Sequence, residues 1–292
     1  MCAFSPISCK MHLSVSRQMP DEHTMLAPQE WRCPPVQLKL FPGETHVWRA
    51  SLTPDSLHLE ALYLTLSTDE QARANRTITQ VRRRLIAARG LLREILGSYL
   101  GIPAGDVRFT YGPHGKPALA GNADLPLLQF NLAHSADLAL YAFSLNHEVG
   151  IDIEHRRVNF DVLALAKHFF SPREASELAN LPEAQHHEAF YTAWTRKEAY
   201  LKALGRGIGY GLESFSVSLR PGDAAALLDD TAQPDAPSRW RIITLDPAPG
   251  YAAALAIDAH NGSLRCWNRN CVDTPGLISG MAAWGRVSRR IG

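Results

Sequence analysis

The sequence predicts an α+β protein whose chain folds as two similar α/β halves. Two helix-start signals of the form S-x-x-E, Ser67–Glu70 and Ser171–Glu174, occupy corresponding places. Each signal is followed by a helical stretch that runs to a glycine, Gly97 in the first half and Gly205 in the second. An alternating strand comes next in each half, at Val107–Tyr111 and at Ser214–Leu219. Two such halves facing each other leave a cleft between them, where ligands commonly bind.

The 292 residues are enough for one large domain or two modest ones. The first strand is expected at His46–Leu52, after a proline-rich stretch without regular patterning. We therefore expect a poorly ordered N-terminal extension, two subdomains and a C-terminal tail. Their bounds are 1–44, 45–148, 149–262 and 263–292.

Composition limits the function classes that are open to the chain. The net charge of +1 gives no global field for nucleic acid or an anionic membrane. No run approaches the roughly 20 apolar residues of a membrane span, and no secretory signal is visible. Five cysteines without a disulfide-like pattern indicate a reducing compartment, so the cytoplasm is the expected location.

The segment Val149–Glu154 has the pattern of a strand with two carboxylates on one face. Its odd-numbered residues are apolar and are expected to face a core, while Gly150, Asp152 and Glu154 face the other way. Neighbouring carboxylates repel each other unless a cation lies between them, and hard oxygen ligands suit Mg²⁺. The alternative is the ordinary exposed face of an antiparallel strand.

A helix is predicted for Trp194–Gly205. Glu198 and Lys202 are four residues apart on it, so they lie on one face and could form a simple surface ion pair. The functional alternative assigns Glu198 to a metal or a proton, and Lys197 and Lys202 to phosphates.

Two shorter motifs lie before the acidic strand. Phe130–Ser135 reads as a strand followed by a turn that presents His134 and Ser135, either as structural residues or as part of a site. A serine hydrolase would need a nucleophile elbow of the form G-x-S-x-G, which the sequence lacks. Gly112–Pro117 predicts a tight turn that carries Lys116, and it does not have the spacing of a P-loop.

A basic stretch, Arg82–Arg84, continues along a predicted helix through Arg89 and Arg93. Such a face is either solvated or holds a phosphate through paired N–H donors. The near-neutral net charge and the lack of interleaved aromatic residues argue against nucleic acid.

The order of these motifs carries more information than any one of them. GKP, FNLAHS, GIDIE and WTRKEAYLKALG follow one another between Gly115 and Gly205, and together they resemble the Sfp-type 4′-phosphopantetheinyl transferase superfamily. The flanking elements fit from about His46 to Asp258. The resemblance implies two subdomains in a pseudo-twofold arrangement with the active site in the cleft between them. It also implies Mg²⁺-dependent transfer of phosphopantetheine from coenzyme A to a serine of a carrier protein.

The resemblance implies catalytic and metal-binding roles for particular residues. Asp152 and Glu154 match the acidic pair that holds Mg²⁺, and Glu198 matches a third ligand that is also the proposed general base. Lys202 and His134 match positions that neutralise charge during transfer.

The resemblance also implies a set of residues that bind coenzyme A: Lys116, His134, Ser135, Arg84, Arg89 and Lys202. Among these, Lys202 matches a contact to the pyrophosphate. Arg84 falls near the position for the adenosine 3′-phosphate, with Arg89 as its helper. The sequence departs from the best-known members at Thr68–Arg73, where Glu70 stands in place of a lysine.

The expected partners are coenzyme A and an acyl or peptidyl carrier protein, with no nucleic acid and no membrane. A monomer is expected because both halves lie in one chain. Two other classes stay open: a coenzyme A-binding protein without transferase activity, and a metal-dependent nucleotide phosphohydrolase. A binding protein would not need three carboxylates around a metal, and a phosphohydrolase would use water in place of the carrier serine.

Overall fold

A computed structural model of the chain describes residues 29–121, 127–259 and 261–271. Helices and sheets alternate along these residues, which confirms the α+β class. The helices are α1 (Ser56–Thr65), α2 (Thr68–Asn75), α3 (Thr79–Leu100), α4 (Val162–Phe169), α5 (Pro172–Ala179), α6 (Glu183–Leu204) and α7 (Ala236–Arg239). Short 3-10 helices lie at Ala104–Asp106, Ile208–Tyr210 and Leu212–Ser214.

The strands form two larger sheets and two short hairpin-like pairs. Their bounds are β1 (Trp31–Arg32), β2 (Glu44–Ser51), β3 (Phe109–Tyr111), β4 (Pro117–Leu119), β5 (Leu128–Ser135), β6 (Leu138–Leu145), β7 (Val149–His155), β8 (Phe215–Val217), β9 (Leu227–Asp230), β10 (Arg241–Leu245), β11 (Tyr251–Ile257) and β12 (Ser263–Asn268). The five-stranded sheet has the order β1-β12-β2-β6-β5, and the three-stranded sheet has the order β10-β11-β7.

Both predicted capping boxes are present. The Ser67 hydroxyl accepts the backbone N–H of Glu70 at the start of α2, while the Glu70 carboxylate accepts the N–H of Ser67. The same reciprocal pair joins Ser171 and Glu174 at the start of α5. Two orphan donors at each helix start are thereby satisfied, which defines where the helices begin.

Both long helices end at a glycine in the left-handed conformation, but the sequence analysis predicted the wrong glycine for α3. Gly205 caps α6 in the left-handed conformation, as predicted. The expected end at Gly97 is wrong, because α3 continues to Leu100 and is capped by Gly101 at φ 67°. Gly97 has a different role: a Cβ there would lie 2.7 Å from the carbonyl oxygen of Ile102, so the glycine lets the following chain fold back on the helix.

Three strands pair in the same order in both halves: the first in sequence pairs with the third, and the third pairs with the second. In the first half β2 pairs antiparallel with β6, which pairs antiparallel with β5. In the second half β7 pairs antiparallel with β11, which pairs antiparallel with β10. The two sheets meet where the side-chain oxygen of Asn131 on β5 accepts the backbone N–H of Ile151 on β7 at 3.0 Å. This contact brings the His134 end of β5 beside the acidic strand.

The terminal segments contribute more structure than the sequence predicted. Within the expected extension 1–44, β1 pairs parallel with β12, while residues 1–28 lie outside the described residues. Within the expected tail 263–292, Ser263–Asn268 is a full strand that pairs with β2, and residues 272–292 lie outside the described residues. Both strands are short, and their pairing partners lie far away in sequence, so local patterning does not reveal them.

The expectation of cysteines without disulfides is wrong for one pair. Cys33 follows β1, and its sulfur is bonded to that of Cys271 just after β12, with their Cα atoms 5.6 Å apart. The bond joins residues 238 positions apart in sequence, a separation that gives no local sequence signal. Cys266 on β12 is free and buried.

Among the described helices, none combines the length and the apolar character that a bilayer crossing requires.

Candidate active site

The site begins where α6 lies directly on β7. Gly150 faces the helix, and a Cβ added to it would lie 2.8 Å from the Cα of Ala203 and closer still to the backbone oxygen of Ala199. Only glycine allows this separation, so Gly150 sets how near α6 comes to the acidic strand. The sequence placed Gly150 on the correct face but did not predict this packing role.

The predicted two-sided pattern of β7 is confirmed. Ile151 and Ile153 enter an apolar cluster with the first-half sheet, whereas Asp152 lies on the α6 side and is 4% exposed. This burial excludes the alternative of an ordinary solvated strand face. Asp152 is therefore a carboxylate held inside the protein, which is costly unless it has partners.

Lys202 supplies one of those partners. Its ammonium group donates to Oδ1 of Asp152 at 2.5 Å, across the interface between α6 and β7. The simple i, i+4 pair between Glu198 and Lys202 is not among the ion pairs of the described residues. The second oxygen of Asp152, Oδ2, is buried and has no hydrogen-bond partner within the described part of the chain.

Glu154 stands two residues further along β7 and contacts β5. The hydroxyl of Ser135 donates to Oε2 of Glu154 at 2.9 Å and accepts the backbone N–H of His155 at 3.0 Å. Ser135 and His134 lie within β5, not in the turn that the sequence predicted, and the turn follows at 136–137. Ser135 thus positions a carboxylate, and Asn131, which the sequence analysis left without a role, holds the two strands together.

The three predicted carboxylates form one electrostatic group. Burial raises the pKa of Asp152, against the lowering effect of the Lys202 ammonium. Burial and then the charge of Asp152 raise the pKa of Glu154. The pKa of Glu198 is raised by burial, then by Asp152, with Glu154 adding to the same effect and Lys202 opposing it. Mutual repulsion of this kind is relieved by a cation among the carboxylates.

The side chains do not form a ready set of metal ligands in this arrangement. Among residues 29–121, 127–259 and 261–271, no group of three His, Cys, Asp or Glu side chains has the spacing of a metal site. Lys202 and Ser135 instead hold one oxygen each of Asp152 and Glu154. The buried, unpartnered Oδ2 of Asp152 and the pKa values of Glu154 and Glu198, which burial and the charge of Asp152 raise, still fit a divalent cation bound beside these carboxylates.

Positive charges from both halves lie near His134. Burial lowers the pKa of His134, and the nearby charges of Lys202, Arg84 and Arg89 lower it further. His134 is therefore biased towards its neutral form, in which one ring nitrogen donates a hydrogen bond and the other accepts one. The assignment of His134 to the phosphates of coenzyme A stays a prediction, which a neutral imidazole would serve as a hydrogen-bond donor.

Arg84 and Arg89, the two arginines of α3 near His134, differ in how they are held. Arg84 donates to Oδ1 of Asp137 at 2.8 and 3.1 Å, in the turn that follows β5. Arg89 lies 3.9 Å from Oε1 of Glu70, and its Nη1 is buried without a hydrogen-bond partner within the described residues. An unsatisfied guanidinium nitrogen next to His134 is suited to an anionic group.

Lys197, one of the two lysines that the functional alternative assigned to phosphates, is structural. Its ammonium group is completely buried and donates to Oε2 of Glu174 at 2.6 Å and to the carbonyl oxygen of Phe215 at 2.5 Å. The residue adjacent to Glu198 therefore points into the core of the second half, because neighbouring residues on a helix point about 100° apart. The assignment of Lys197 to a phosphate is wrong.

The glutamate that departs from the family pattern also has a structural partner. Oε2 of Glu70 accepts from Nε of Arg93 at 2.7 Å, and Arg93 is buried and donates to the carbonyl oxygen of Val107 as well. Arg93 is therefore held inside the first half and is not part of an exposed cationic face of α3. Glu70 belongs to the framework of the first half.

Lys116 lies on the predicted turn, but it does not contact any of the carboxylates of the site in the structure. Its ammonium group donates to Oε2 of Glu148 at 2.8 Å and to the carbonyl oxygen of Ala203 at 2.9 Å. The hairpin between β3 and β4 is confirmed, with the N–H of Gly112 bonded to the carbonyl oxygen of Lys116. Glu148 was not predicted, since it precedes the acidic strand as an isolated charge.

The carboxylates of β7 and α6 thus lie near Lys202, and His134 lies near Lys202 and the arginines of α3, an arrangement of charges that suits a polyanionic substrate. Comparison with known proteins gives the class. Residues 148–256 match the model of the 4′-phosphopantetheinyl transferase superfamily, and residues 50–146 match a model described as "4′-phosphopantetheinyl transferase, N-terminal".

Individual relatives agree with the family models. The 4′-phosphopantetheinyl transferase HetI of Nostoc sp. is 41% identical over 82% of this chain and 98% of its own length. Two further transferases, psf-1 of Bacillus pumilus and Sfp of Bacillus subtilis, are each 33% identical, over 64% and 56% of this chain and 78% and 69% of their own lengths. The chain belongs to the 4′-phosphopantetheinyl transferase superfamily, and it is an enzyme of that class.

Proposed function

We propose that this chain transfers the 4′-phosphopantetheine group of coenzyme A to a serine of an apo acyl or peptidyl carrier protein, releasing 3′,5′-ADP. The names of the relatives, all phosphopantetheinyl transferases, support the reaction class. The observation that carries the proposal is the buried Asp152, which has one oxygen on Lys202 and the other without a partner, beside Glu154 and Glu198.

Asp152, Glu154 and Glu198 are the residues that would hold Mg²⁺ in this proposal. Carboxylate oxygens are preferred ligands of Mg²⁺, and the raised pKa values indicate that added positive charge would be favourable here. When bound, Mg²⁺ would withdraw charge from the phosphate oxygens of coenzyme A.

The proton acceptor in the proposed reaction is Glu198. It stands on the rigid helix α6, which holds its carboxylate beside the other acidic residues of the proposed site. The serine O–H bond breaks as Glu198 takes the proton, and the serine oxygen bonds to the β-phosphorus. The pyrophosphate P–O bond breaks at the same phosphorus, and the electron pair leaves with 3′,5′-ADP.

The remaining residues of the site bind and orient the phosphates. We assign Lys202 to the pyrophosphate. In this proposal the Lys202 ammonium group leaves Asp152 and contacts the pyrophosphate when coenzyme A and the metal are bound. His134 donates a hydrogen bond to the same group, and Arg84 and Arg89 lie on the side of the cleft where the adenosine 3′-phosphate would bind. Preorganised donors of this kind stabilise charge that develops on the transferring phosphate.

The reaction is tested by incubating the full chain with coenzyme A, Mg²⁺ and an apo carrier protein, and then weighing the carrier. The proposal expects the carrier to gain the mass of one phosphopantetheine group, while a carrier whose modified serine is replaced by alanine gains nothing. Bound coenzyme A without a mass gain would identify a binding protein. Release of a nucleotide product without modified carrier would identify a phosphohydrolase.

The metal assignment has its own control in the same assay. The change Asp152→Asn keeps size and one oxygen but removes the charge, so transfer should fall by roughly 10²-fold or more over a range of Mg²⁺ concentrations. Tyrosine or tryptophan fluorescence during urea unfolding checks that the variant is folded. Unchanged transfer by folded Asp152→Asn would remove Asp152 from the site.

We also propose that the two halves are related by a pseudo-twofold axis, with subdomains at 45–148 and 149–262, the first completed by β1 and β12, and that one chain forms a complete site. The shared strand order of β2-β6-β5 and β7-β11-β10 supports the axis. The carboxylates and the arginines of the proposed site all come from one chain, which supports a monomer. Sedimentation at the concentration of the transfer assay would test this.

A further inference from the structure

We infer that Lys116 is a positioning residue of the transferase site, which acts by fixing the last turn of α6 instead of binding a phosphate of coenzyme A. The inference rests on the proposed function, and it concerns the contact that we call the Lys116 bridge: the Lys116 ammonium group, the Glu148 carboxylate and the carbonyl oxygen of Ala203.

The bridge completes the C-terminal end of α6. The last carbonyl groups of a helix have no partner within the helix. The carbonyl oxygens of Leu201 and Lys202 accept the N–H groups of Arg206 and Gly205, as left-handed glycine caps require. The next carbonyl oxygen, that of Ala203, accepts from Lys116. A cation at this place is also favoured by the helix dipole.

The turn that carries Lys116 is fitted to this helix end. The Cδ atom of Lys116 lies 3.5 Å from the position of a Cβ on Gly205, and the ring of His114 lies 3.4 Å from the same position on Gly207. The Lys116 side chain is 19% exposed, whereas its partner Glu148 is 47% exposed. The ammonium group is thus held between the Glu148 carboxylate and the end of α6.

The bridge reaches the reactive groups through one residue. Ala203 accepts from Lys116 with its carbonyl group, while its Cα lies against Gly150 on β7. Lys202 immediately precedes Ala203 and contacts Asp152. A shift of the last turn would therefore move the Lys202 ammonium group relative to Asp152, and displacements of about 1 Å are enough to cost roughly 10²-fold in rate.

The inference is tested with the full chain and four variants: Lys116→Met, Lys116→Arg, Glu148→Gln and the double variant Lys116→Met with Glu148→Gln. Steady-state transfer is measured against coenzyme A concentration with an apo carrier and Mg²⁺. Exposed Lys39→Met serves as the control for loss of one lysine, and it should behave as the unchanged chain does. Amide hydrogen exchange over residues 201–207 is measured without substrate.

A positioning role predicts a fall in kcat of roughly 10- to 100-fold for Lys116→Met, with the KM for coenzyme A changed by less than about threefold. Glu148→Gln should lower kcat less, because the bond to Ala203 remains. The double variant should be no worse than Lys116→Met, since Lys116→Met already removes the contact to Glu148. Lys116→Arg should recover part of kcat, and exchange at the end of α6 should be faster in Lys116→Met.

A phosphate contact predicts the opposite pattern. Lys116→Met would then raise the KM for coenzyme A about tenfold at nearly constant kcat, and Glu148→Gln would leave KM unchanged or lower it by freeing the lysine. That result, or unchanged exchange in Lys116→Met, overturns the inference. If Lys116→Met fails to fold, the kcat and KM of Glu148→Gln still decide between the two patterns. An inactive unchanged chain would contradict the proposed function instead, and hydrogen exchange would still test the bridge.

Discussion

The two long helices, α3 and α6, are fixed to their own halves of the molecule by the same device. On α3, Arg93 donates to Glu70, the last residue of a capping box, and to the carbonyl oxygen of Val107. On α6, Lys197 donates to Glu174, the last residue of the other capping box, and to a carbonyl oxygen. The cation and the carboxylate are 23 residues apart in both pairs.

One residue further along each helix, the halves diverge. Glu94 follows Arg93, and its carboxylate accepts from Arg269 at 2.9 Å, with the ring of His58 at 3.9 Å. Burial alone would raise the pKa of Glu94, but His58 and Arg269 outweigh it and hold the pKa below its ordinary value. Glu198 follows Lys197, and its pKa is raised. In the first half, cations stabilise the charged form of the glutamate at this place on the helix. In the second half, burial and a neighbouring carboxylate destabilise it.

The strands beneath the helices differ in the same sense. In the first half, the hydroxyl of Tyr99 on α3 accepts from Trp48 and is bonded to His46, which are both buried on β2. In the second half, α6 meets β7 at Gly150 and through the ion pair of Lys202 and Asp152. The α3 interface of the first half is thus built from aromatic side chains and neutral hydrogen bonds, whereas the α6 interface of the second half contains an ion pair.

The largest difference is expected when the two glutamates are changed separately. Glu198→Gln removes the proposed base, so kcat should fall by roughly 10²–10⁴-fold. Because the folded-state pKa of Glu198 is raised, its charge opposes folding at neutral pH, and the variant should be at least as stable as the unchanged chain. Transfer rates and urea unfolding measure the two quantities.

Glu94→Gln is the matched control, and it should do the reverse. The lowered pKa of Glu94 means that its charge stabilises the fold above its ordinary pKa, and that this stability is lost as the pH falls through the lowered pKa. The variant should lose about 1–3 kcal/mol of stability and keep the kcat of the folded enzyme. Equal losses of activity in both variants would end the distinction between the two helices.

The next largest effect is expected at the two buried ion pairs, Arg93 with Glu70 and Lys197 with Glu174. Lys197→Met and Arg93→Met each leave a buried carboxylate without its cation, so each should lower the free energy of unfolding by about 3–5 kcal/mol. Urea denaturation midpoints measure the loss, with exposed Lys39→Met as the reference. A cost below about 1 kcal/mol for either variant would show that the two pairs are not equivalent.

A smaller loss of stability is expected at Gly150, where α6 packs directly on β7. Gly150→Ala places a methyl group against the backbone of α6, at a cost of about 1–3 kcal/mol. The displaced helix should also lower transfer more than tenfold. Gly105→Ala is the matched control, because a Cβ there meets open space. A Gly150→Ala enzyme with full activity would contradict the role given to this glycine.

The smallest effect is expected at Arg84 on α3, which we propose lies near the adenosine 3′-phosphate. Arg84→Ala should weaken coenzyme A more than its 3′-dephospho form, by roughly two- to tenfold, because Arg84 already holds Asp137 and exposed pairs of this kind are weak. Asp137→Asn should free the arginine and leave the affinity for coenzyme A unchanged or higher. Equal weakening of both substrates by Arg84→Ala would show that Arg84 does not contact the 3′-phosphate.

Sequence patterns predicted the features whose cause is local. Capping boxes depend on residues three positions apart, and the two-sided strand at Asp152 depends on alternation, so both could be read from the chain. The partners of Lys116, Ser135 and Lys197 could not, because each contact joins elements distant in sequence. The predicted helix end at Gly97 failed for a related reason: its glycine serves packing against the following loop and not a cap.

Strand β12 has a consequence for how the chain is made. It inserts between β1 and β2, so that the sheet of the first half takes a central strand from beyond the second half. Synthesis proceeds from the N-terminus, and pairings between distant residues form late because their loop-closure entropy must be offset first. During translation, one edge of β2 therefore stays unpaired until Ser263–Asn268 has been synthesised. The second-half sheet already has all its strands once Ile257 has emerged. The half that contains the acidic strand is the first able to finish folding, although it is the second to leave the ribosome.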